Sequence, residues 1–552
     1  MLSGSNLRLL LIIGLILIGN LILSGYFFRV DLTKENRYSL SEVTQDVLDT
    51  LDYPMFVTVY LEGDFPPEVR AFQEALRTTL QEMRQYSDGD LNFEFVDPSN
   101  NSELLKQFQE MGFAPVPLKY VDVDETVLKY MWPLVNFRFK DYEQYVDLLK
   151  GASVPTPQGP NVNFIKAEAD LEYKLMAAVV NLSQEKRKVI GLVRGHGELG
   201  NDMIGELGME LQNAYNLVDY NMETTYPGVG ISPDIDALII LQPTEAFSER
   251  DKYELDQYLM RGGSILWVMD QEIVDLDLYQ KMSTLSELYE LNLDDMFFKY
   301  GFKINYDLVQ DLSCETVELF DETSQGFVSQ RWVFYPRYFS LPPHPVNRNI
   351  DAVMMRYASS IDTFPQPGVN KSVFLASSAR SRTIAGRQFI DINQYVQDPP
   401  PANLFNQQGK IMGLMAEGIF ESLFTGREAP TDSLAPNPPT ATFGARNNPT
   451  RPGKIAVISD GAFGTARNFR GRLQRIPFDN RNLLLNVLDY LAGEETLTRI
   501  RSKEVVARRL DREKVRESGG TLRFLNLASP ILLIVIVGVV LYYLRKRRNE
   551  RV

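Results

Sequence analysis

Four short, almost wholly apolar runs constrain this 552-residue chain more than any other feature: Val189 to Val193, Ala237 to Leu241, Ser264 to Met269 and Lys454 to Ser459. A strand with one wet face alternates apolar and polar residues, whereas a continuous Val, Ile and Leu run fits a strand covered on both faces. Between these runs lie helical patterns at Met203 to Tyr215 and Ser248 to Leu259 and a short strand at Leu217 to Tyr220, and a further helical pattern, Asn480 to Leu491, follows the last. Ser248 and Asp251 have capping-box spacing, although Glu or Gln is the usual partner. Strands alternating with helices predict an α/β fold with a doubly wound, flavodoxin-like parallel sheet over residues 188–498.

Such sheets place ligands at the carboxyl ends of their strands. The first run enters the turn Arg194-Gly195-His196-Gly197-Glu198, and two others end at Asp270 and Asp460. The glycines let the backbone turn sharply and present Arg194, His196 and Glu198 at the strand end. If the strand ends share one crevice, a histidine flanked by carboxylates fits a general acid–base pair. The alternative is a structural turn, with the aspartates capping helices or receiving backbone N–H groups. The structural use is preferred, because no nucleophile stands beside these residues and fold alone does not establish activity.

Composition narrows the chemistry. Only His196 and His344 occur, with a single cysteine, Cys314, so a Cys-based metal cluster and an intramolecular disulfide are excluded. Metal binding by His196 and Glu198 would need Asp270 or Asp460 as further ligands. No Walker A or Rossmann fingerprint is present, so no cofactor is implied and any ATP hydrolysis belongs to a partner. A net charge of -15 argues against nucleic acid as a partner. The aromatic run Trp332 to Phe339, WVFYPRYF, fits either a carbohydrate or peptide surface or an edge strand with half its rings in a core.

Upstream, residues 31–150 open with Ser39-Leu40-Ser41-Glu42, a capping-box spacing, and a helix to Leu51. Strands follow at Met55 to Leu61, Leu91 to Val96, Lys119 to Tyr130 and Leu134 to Phe139, with helices at Val69 to Tyr86 and Leu104 to Met111. This β-α-β-α-β-β order suggests a thioredoxin-like domain, and without a C-x-x-C pair it has no dithiol chemistry. Residues 151–187 read as a linker and a helix, and a helix is expected near Met282 to Tyr300. Pro/Asn-rich stretches at Gln397 to Asn406 and Arg427 to Pro452 read as flexible loops, the latter including 427–452 within the sheet domain.

Both ends carry charge-free runs, Leu9 to Phe28 and Phe524 to Leu544, each about 20 residues and long enough to cross a hydrocarbon core of roughly 30 Å. Residues 1–30 and 524–544 are therefore expected to hold two transmembrane helices that bracket the body, with a charged juxtamembrane helix at 499–523. The basic tail, 545–552, places both termini in the cytoplasm and the body outside it.

Taken in order, the first span, RYSLSE, the GHGE turn, DALIIL, RGGSILWVMD, EGIFESLF, AVISDGAFG, NVLDYLAG, the last span and the basic tail resemble the GldG family of gliding-motility ABC-transporter-associated membrane proteins. The resemblance covers nearly the whole chain. It implies a bacterial inner-membrane protein with a large periplasmic body, joined to an ABC permease and a cytoplasmic ATPase and linked in Bacteroidota to gliding and associated secretion. A second copy of the chain is a further partner by analogy. The central sheet would be amidotransferase-like, related to a domain of intraflagellar transport proteins. An active amidotransferase needs a cysteine on a strand-to-helix elbow with a histidine base, and Cys314 in DLSCET has no such context. The expected role is thus a non-catalytic accessory subunit. Its rivals are a tethered glycan- or peptide-binding protein using the GHGE crevice, and a hydrolase using His196 with Asp270 or Asp460.

Overall fold

The computed structural model describes the chain from Ser39 to Ile500 except for short internal intervals, the longest being 431–450, and three single positions nearer the end. The first expected span, nearly all of the second, most of the charged 499–523 segment and nearly all of the basic tail lie outside the described residues, as does most of the 427–452 loop. Among the described residues no helix is long and apolar enough to cross a membrane. The chain divides into two compact units, Met1–Glu504 and Val505–Val552, and nearly all described residues fall in the first.

The first domain begins at Ser41, whose hydroxyl caps α1 (Glu42–Asp49) by accepting the Thr44 N–H. Then come β1 (Met55–Val59), α2 (Pro67–Tyr86, with proline at its first turn), β2 (Leu91–Phe95) and α3 (Ser102–Glu110). The sheet is completed by β3 (Leu134–Phe139) and β4 (Tyr142–Asp147), in the order β2-β1-β3-β4. β1 and β2 are parallel, and β3 is antiparallel to both β1 and β4. The alternating Met55, Val57 and Val59 pack with Val69, Phe72, Leu76, Leu80 and Met83 of α2, and with Leu171, Leu175 and Val179 of α4 (Leu171–Ser183). α3 supplies Phe108 to a separate aromatic cluster with Tyr60 and Trp132. One expectation changes here. The segment near Lys119 to Tyr130 is not a sheet strand but a self-paired hairpin, Val116–Asp122 with Glu125–Met131. Its sheet place is taken by β4, which reaches β3 through a tight turn with Lys140 at φ 54°.

In the second domain the apolar runs form β5 (Val189–Arg194), β7 (Ala237–Leu241), β8 (Ser264–Val268) and β13 (Gly453–Ile458). They join β6 (Asn216–Asn221) as five parallel strands in the order β6-β5-β7-β8-β13. Numbered by sequence, that is 2-1-3-4-5, the flavodoxin type of doubly wound order. Antiparallel strands extend the sheet beyond β13: β12 (Ile411–Gly418), β10 (Ile361–Thr363) and β9 (Phe302–Ile304), with β11 (Val369–Ala376) also paired to β12. Period-two geometry divides each apolar run between two cores. Val189, Val193, Leu238, Ile240, Ile265, Trp267, Ile455 and Val457 meet α6 (Glu249–Met260) through Leu255, Tyr258 and Leu259. Their neighbours Ile190, Leu192, Ile239, Leu241, Leu266, Val268, Ala456 and Ile458 meet α5 (Asn201–Ala214) and α7 (Asn480–Ala492).

The intervening region departs from expectation. The helix expected over 282–300 is reduced to Asp294–Lys299, and Ser283–Leu285 is a strand paired antiparallel with Phe389–Asp391. A segment of this length is too short to hold a helix by itself, and a long-range pairing partner decides it. The Gln397–Asn406 stretch is a defined loop with a short 3₁₀ turn at Ala402–Leu404 and a buried Phe405 under the Arg382 guanidinium.

Candidate functional site

β5 delivers the GHGE turn to the point where the strand order reverses, between strands one and three of the parallel set, where doubly wound sheets open a crevice. Gly195 and Gly197 have φ of 117° and 71°, conformations that side chains disfavour. Gly197 is required for space as well: a Cβ there would stand 2.1 Å from Thr244 Oγ1. The loop after β7 closes on the turn. The N–H groups of Thr244 and Glu245 both donate to the His196 carbonyl, at 2.8 and 2.9 Å, and the Thr244 hydroxyl donates to the Gly197 carbonyl at 3.1 Å. Arg194 also turns inward, donating to Asp219 at 3.3 Å and to the Leu199 carbonyl.

The His196 ring is buried and lies flat on Phe247, with centroids 3.7 Å apart and an interplanar angle of 12°. Its Nδ1 is 3.2 Å from Glu198 Oε1, and its Nε2 is 3.2 Å from Asp251 Oδ2. The other Glu198 oxygen accepts the backbone N–H of His196 at 2.8 Å. Asp251 also receives the N–H and hydroxyl of Ser248, at 3.0 and 2.6 Å, which completes the capping box of α6. Burial pulls the imidazole pKa down, but the bonds to Asp251 and Glu198 outweigh it and hold the group at about 9. Burial works the other way on Asp251, and the bonds from His196 and Ser248 leave its carboxyl below the usual range. At neutral pH the ring is therefore a cation donating through both nitrogens. Such a ring has no lone pair with which to take a proton, so it joins the β5 turn to the start of α6.

The aspartates form a second cluster. Asp270 follows β8 and Asp460 follows β13, the adjacent strand. Asp270 accepts the Gly461 N–H and the Gln242 side-chain amide, both at 2.7 Å. Asp460 accepts the N–H groups of Arg356 and Ala462 at 2.8 and 3.1 Å, while the Arg356 guanidinium donates to the Ala462 carbonyl at 2.5 Å. Burial raises the pKa of both carboxyls. That of Asp460 is pushed up to about 7, with Arg356 opposing and Asp270 adding to the rise. Gly461 must be small, since a Cβ would approach Asp270 Oδ2 to 2.6 Å.

The five residues expected at the strand ends thus fall into two clusters on either side of the loop after β7. His196 and Glu198 go with Asp251, Asp270 and Asp460 go with Arg356 and Gln242, and Arg194 serves the turn itself. Asp251, Phe247, Arg356 and Gln242 were not among the expected site residues. Asp251 had a visible signal as a capping residue, and its second bond to His196 had none. The WVFYPRYF run lies in a long strand, Gly326–Tyr338, with Trp332, Phe334, Tyr335 and Tyr338 buried and Phe339 exposed. Cys314 is buried, and burial raises its thiol pKa. Among the described residues no group of three or more His, Cys, Asp or Glu is placed to hold a metal ion.

A five-strand parallel sheet with an antiparallel extension, preceded by a smaller α/β domain, defines the class of protein: a mixed α/β body with side-chain clusters at the carboxyl ends of its parallel strands. The family follows from comparison. Residues 187–487, more than half of the chain, match the family described as an ABC-type uncharacterized transport system, and the chain belongs to that family of auxiliary transport components. Residues 34–137 match a domain of unknown function, DUF7088. An uncharacterized protein of Borreliella burgdorferi is 20% identical over 542 residues, covering 96% of this chain and 95% of that protein. The solved structure of an mmIFT52 N-terminal domain is similar over 55% of this chain and 97% of its own, at 12% identity and a TM-score of 0.31, a likeness too slight to bear on fold or function.

Proposed function

We propose that the protein is a non-catalytic accessory subunit of a bacterial ABC transporter, working beside a permease and a separate cytoplasmic ATPase. The observation that carries this reading is the family match over 187–487. The site geometry supports it, because the histidine at the switch point is a cation held between two carboxylates and is unsuited to accept a proton. In this reading Leu9–Phe28 and Phe524–Leu544 span the inner membrane, the body is periplasmic, and the system serves gliding and associated secretion. The β2-β1-β3-β4 order supports a thioredoxin-like first domain, and the 2-1-3-4-5 order supports an amidotransferase-like second domain without the nucleophile. Purification of the full-length protein in mild detergent, followed by mass spectrometry, tests the proposal. A permease and an ATPase recovered in fixed ratio are expected; the protein recovered alone would overturn it.

A second reading, a tethered glycan- or peptide-binding protein, is favoured by one observation: the buried Asp270 and Asp460 carboxyls lie side by side with Arg356 at the strand ends. Titration calorimetry against periplasmic glycans and peptides decides it, with saturable binding lost in Asp460→Ala as the supporting result.

A further inference from the structure

The four-stranded domain is begun and finished by opposite ends of the described chain. Leu40 and Ile500 are 6% and 2% exposed, and both lie in the core built by β1, α2 and α4. More than packing fixes the first of them. The Leu40 N–H donates to Glu82 Oε1 of α2 at 3.2 Å, and the Ser41 N–H and Thr44 hydroxyl each donate to Glu172 Oε1 of α4 at 2.7 Å. Two buried carboxylates thus hold the chain where it enters α1, at a helix start that favours negative charge. This is the end of the RYSLSE stretch, expected as a capping box from Ser39 to Glu42, where Ser41 is the capping residue instead.

At the other end α7 stops at Gly493, in a left-handed conformation with φ 73°. α7 belongs to the sheet domain through Leu483, Leu484, Val487 and Leu488, yet Ile500, a few residues on, is back in the first core. Everything between α4 and Ile500 is therefore an insertion in the first domain. Lys166, in the helix Phe164–Ala169 before α4, pairs with Asp479 at the start of α7 at 2.7 Å, both side chains largely buried, and so ties the insertion near its exit.

We infer that the four-stranded domain is the base of this protein: Leu40 and Ile500, described residues on the chain arms that lead to Leu9–Phe28 and to Phe524–Leu544, both lie in its core. The functional consequence alone rests on the accessory-subunit reading. A membrane partner that moves either arm acts first on the four-stranded domain, which is tied to the sheet domain by the Lys166–Asp479 pair.

Hydrogen exchange of the full-length protein in detergent micelles, read by mass spectrometry, tests the attachment. Ile500→Ala is expected to speed exchange in Met55–Val59 and Leu134–Phe139 at least roughly tenfold while leaving Ala237–Leu241 as it was, and Leu40→Ala is expected to act on the same strands. First-domain strands that exchange as before, or acceleration of equal size in Ala237–Leu241, would overturn the inference. If Ile500→Ala does not fold, Ile500→Val should speed exchange about two- to tenfold in the same strands, and no change there overturns it equally. The measurement needs no transporter, so its failure leaves the accessory reading standing, and a missing permease leaves the attachment standing.

Discussion

His196 separates a chemical from a mechanical use of the switch point, and substitutions there distinguish them. His196→Ala leaves the buried Glu198 and the capping Asp251 facing each other without a cation, so a loss of roughly 3 kcal/mol is expected by chemical denaturation. The pH dependence has a definite sign. The folded pKa of about 9 lies above the ordinary histidine value, so the stabilisation is fully present below about pH 6.5 and is lost as pH rises through 9. Denaturation midpoints measured from pH 6 to 10 should fall more steeply in the natural protein than in His196→Gln. Gly197→Ala combines a disfavoured φ of 71° with a 2.1 Å approach to Thr244, and is expected to cost on the order of 2 kcal/mol or more in the same assay. The turn itself was legible in GHGE, since two glycines around a histidine after an apolar run have few other uses. Its partners were not. Phe247 and Asp251 reach His196 only because α6 starts beside the strand end, and spacing in the sequence does not encode that distance.

Among the elements, continuous apolar runs were read with little error because a strand covered on both faces leaves no other place for such residues. The capping box of α6 was equally visible, and Ser248→Ala is expected to cost about 1 kcal/mol. Short polar-apolar mixtures fared worse. Residues 282–293 satisfied a helical pattern, but Ser283–Leu285 is claimed by a strand about a hundred residues away in sequence, a partner that local periodicity does not reveal. The same blindness left open which strand ends meet: β8 and β13 pair across a long insertion and bring Asp270 and Asp460 together in a cluster separate from His196 and Glu198. That pair carries its own pH signature. A carboxyl raised to about 7 in the folded protein binds its proton more tightly there than when unfolded, so stability is lost as pH rises from about 4 through 7. Glu272, also pushed up to about 7 by burial, acts in the same direction. Midpoints measured between pH 4 and 8 are expected to decline more shallowly in Glu272→Gln, which keeps an acceptor for the Ser286 hydroxyl.

For the whole molecule, two domains were expected in series, and the parallel strands of the second were foreseen while most of its strands between Glu272 and Gly418 were not. The return of Ile500 to the first core was not, because a single isoleucine in a charged stretch carries no mark of its destination. The junction is testable directly: Lys166→Ala leaves Asp479 largely buried without its ammonium partner, and calorimetry of the variant is expected to resolve two unfolding transitions where the natural protein shows closer coupling. The placement of Leu40 and Ile500 in one core also has a consequence for how the protein is made. The ribosome releases the four-stranded domain first but supplies its last core residue only after the sheet domain has been synthesised. At about 5–20 residues per second, that interval is on the order of tens of seconds. The nascent base stands open for that time with a gap in its core, so the order of synthesis and the order of completion are reversed in this chain.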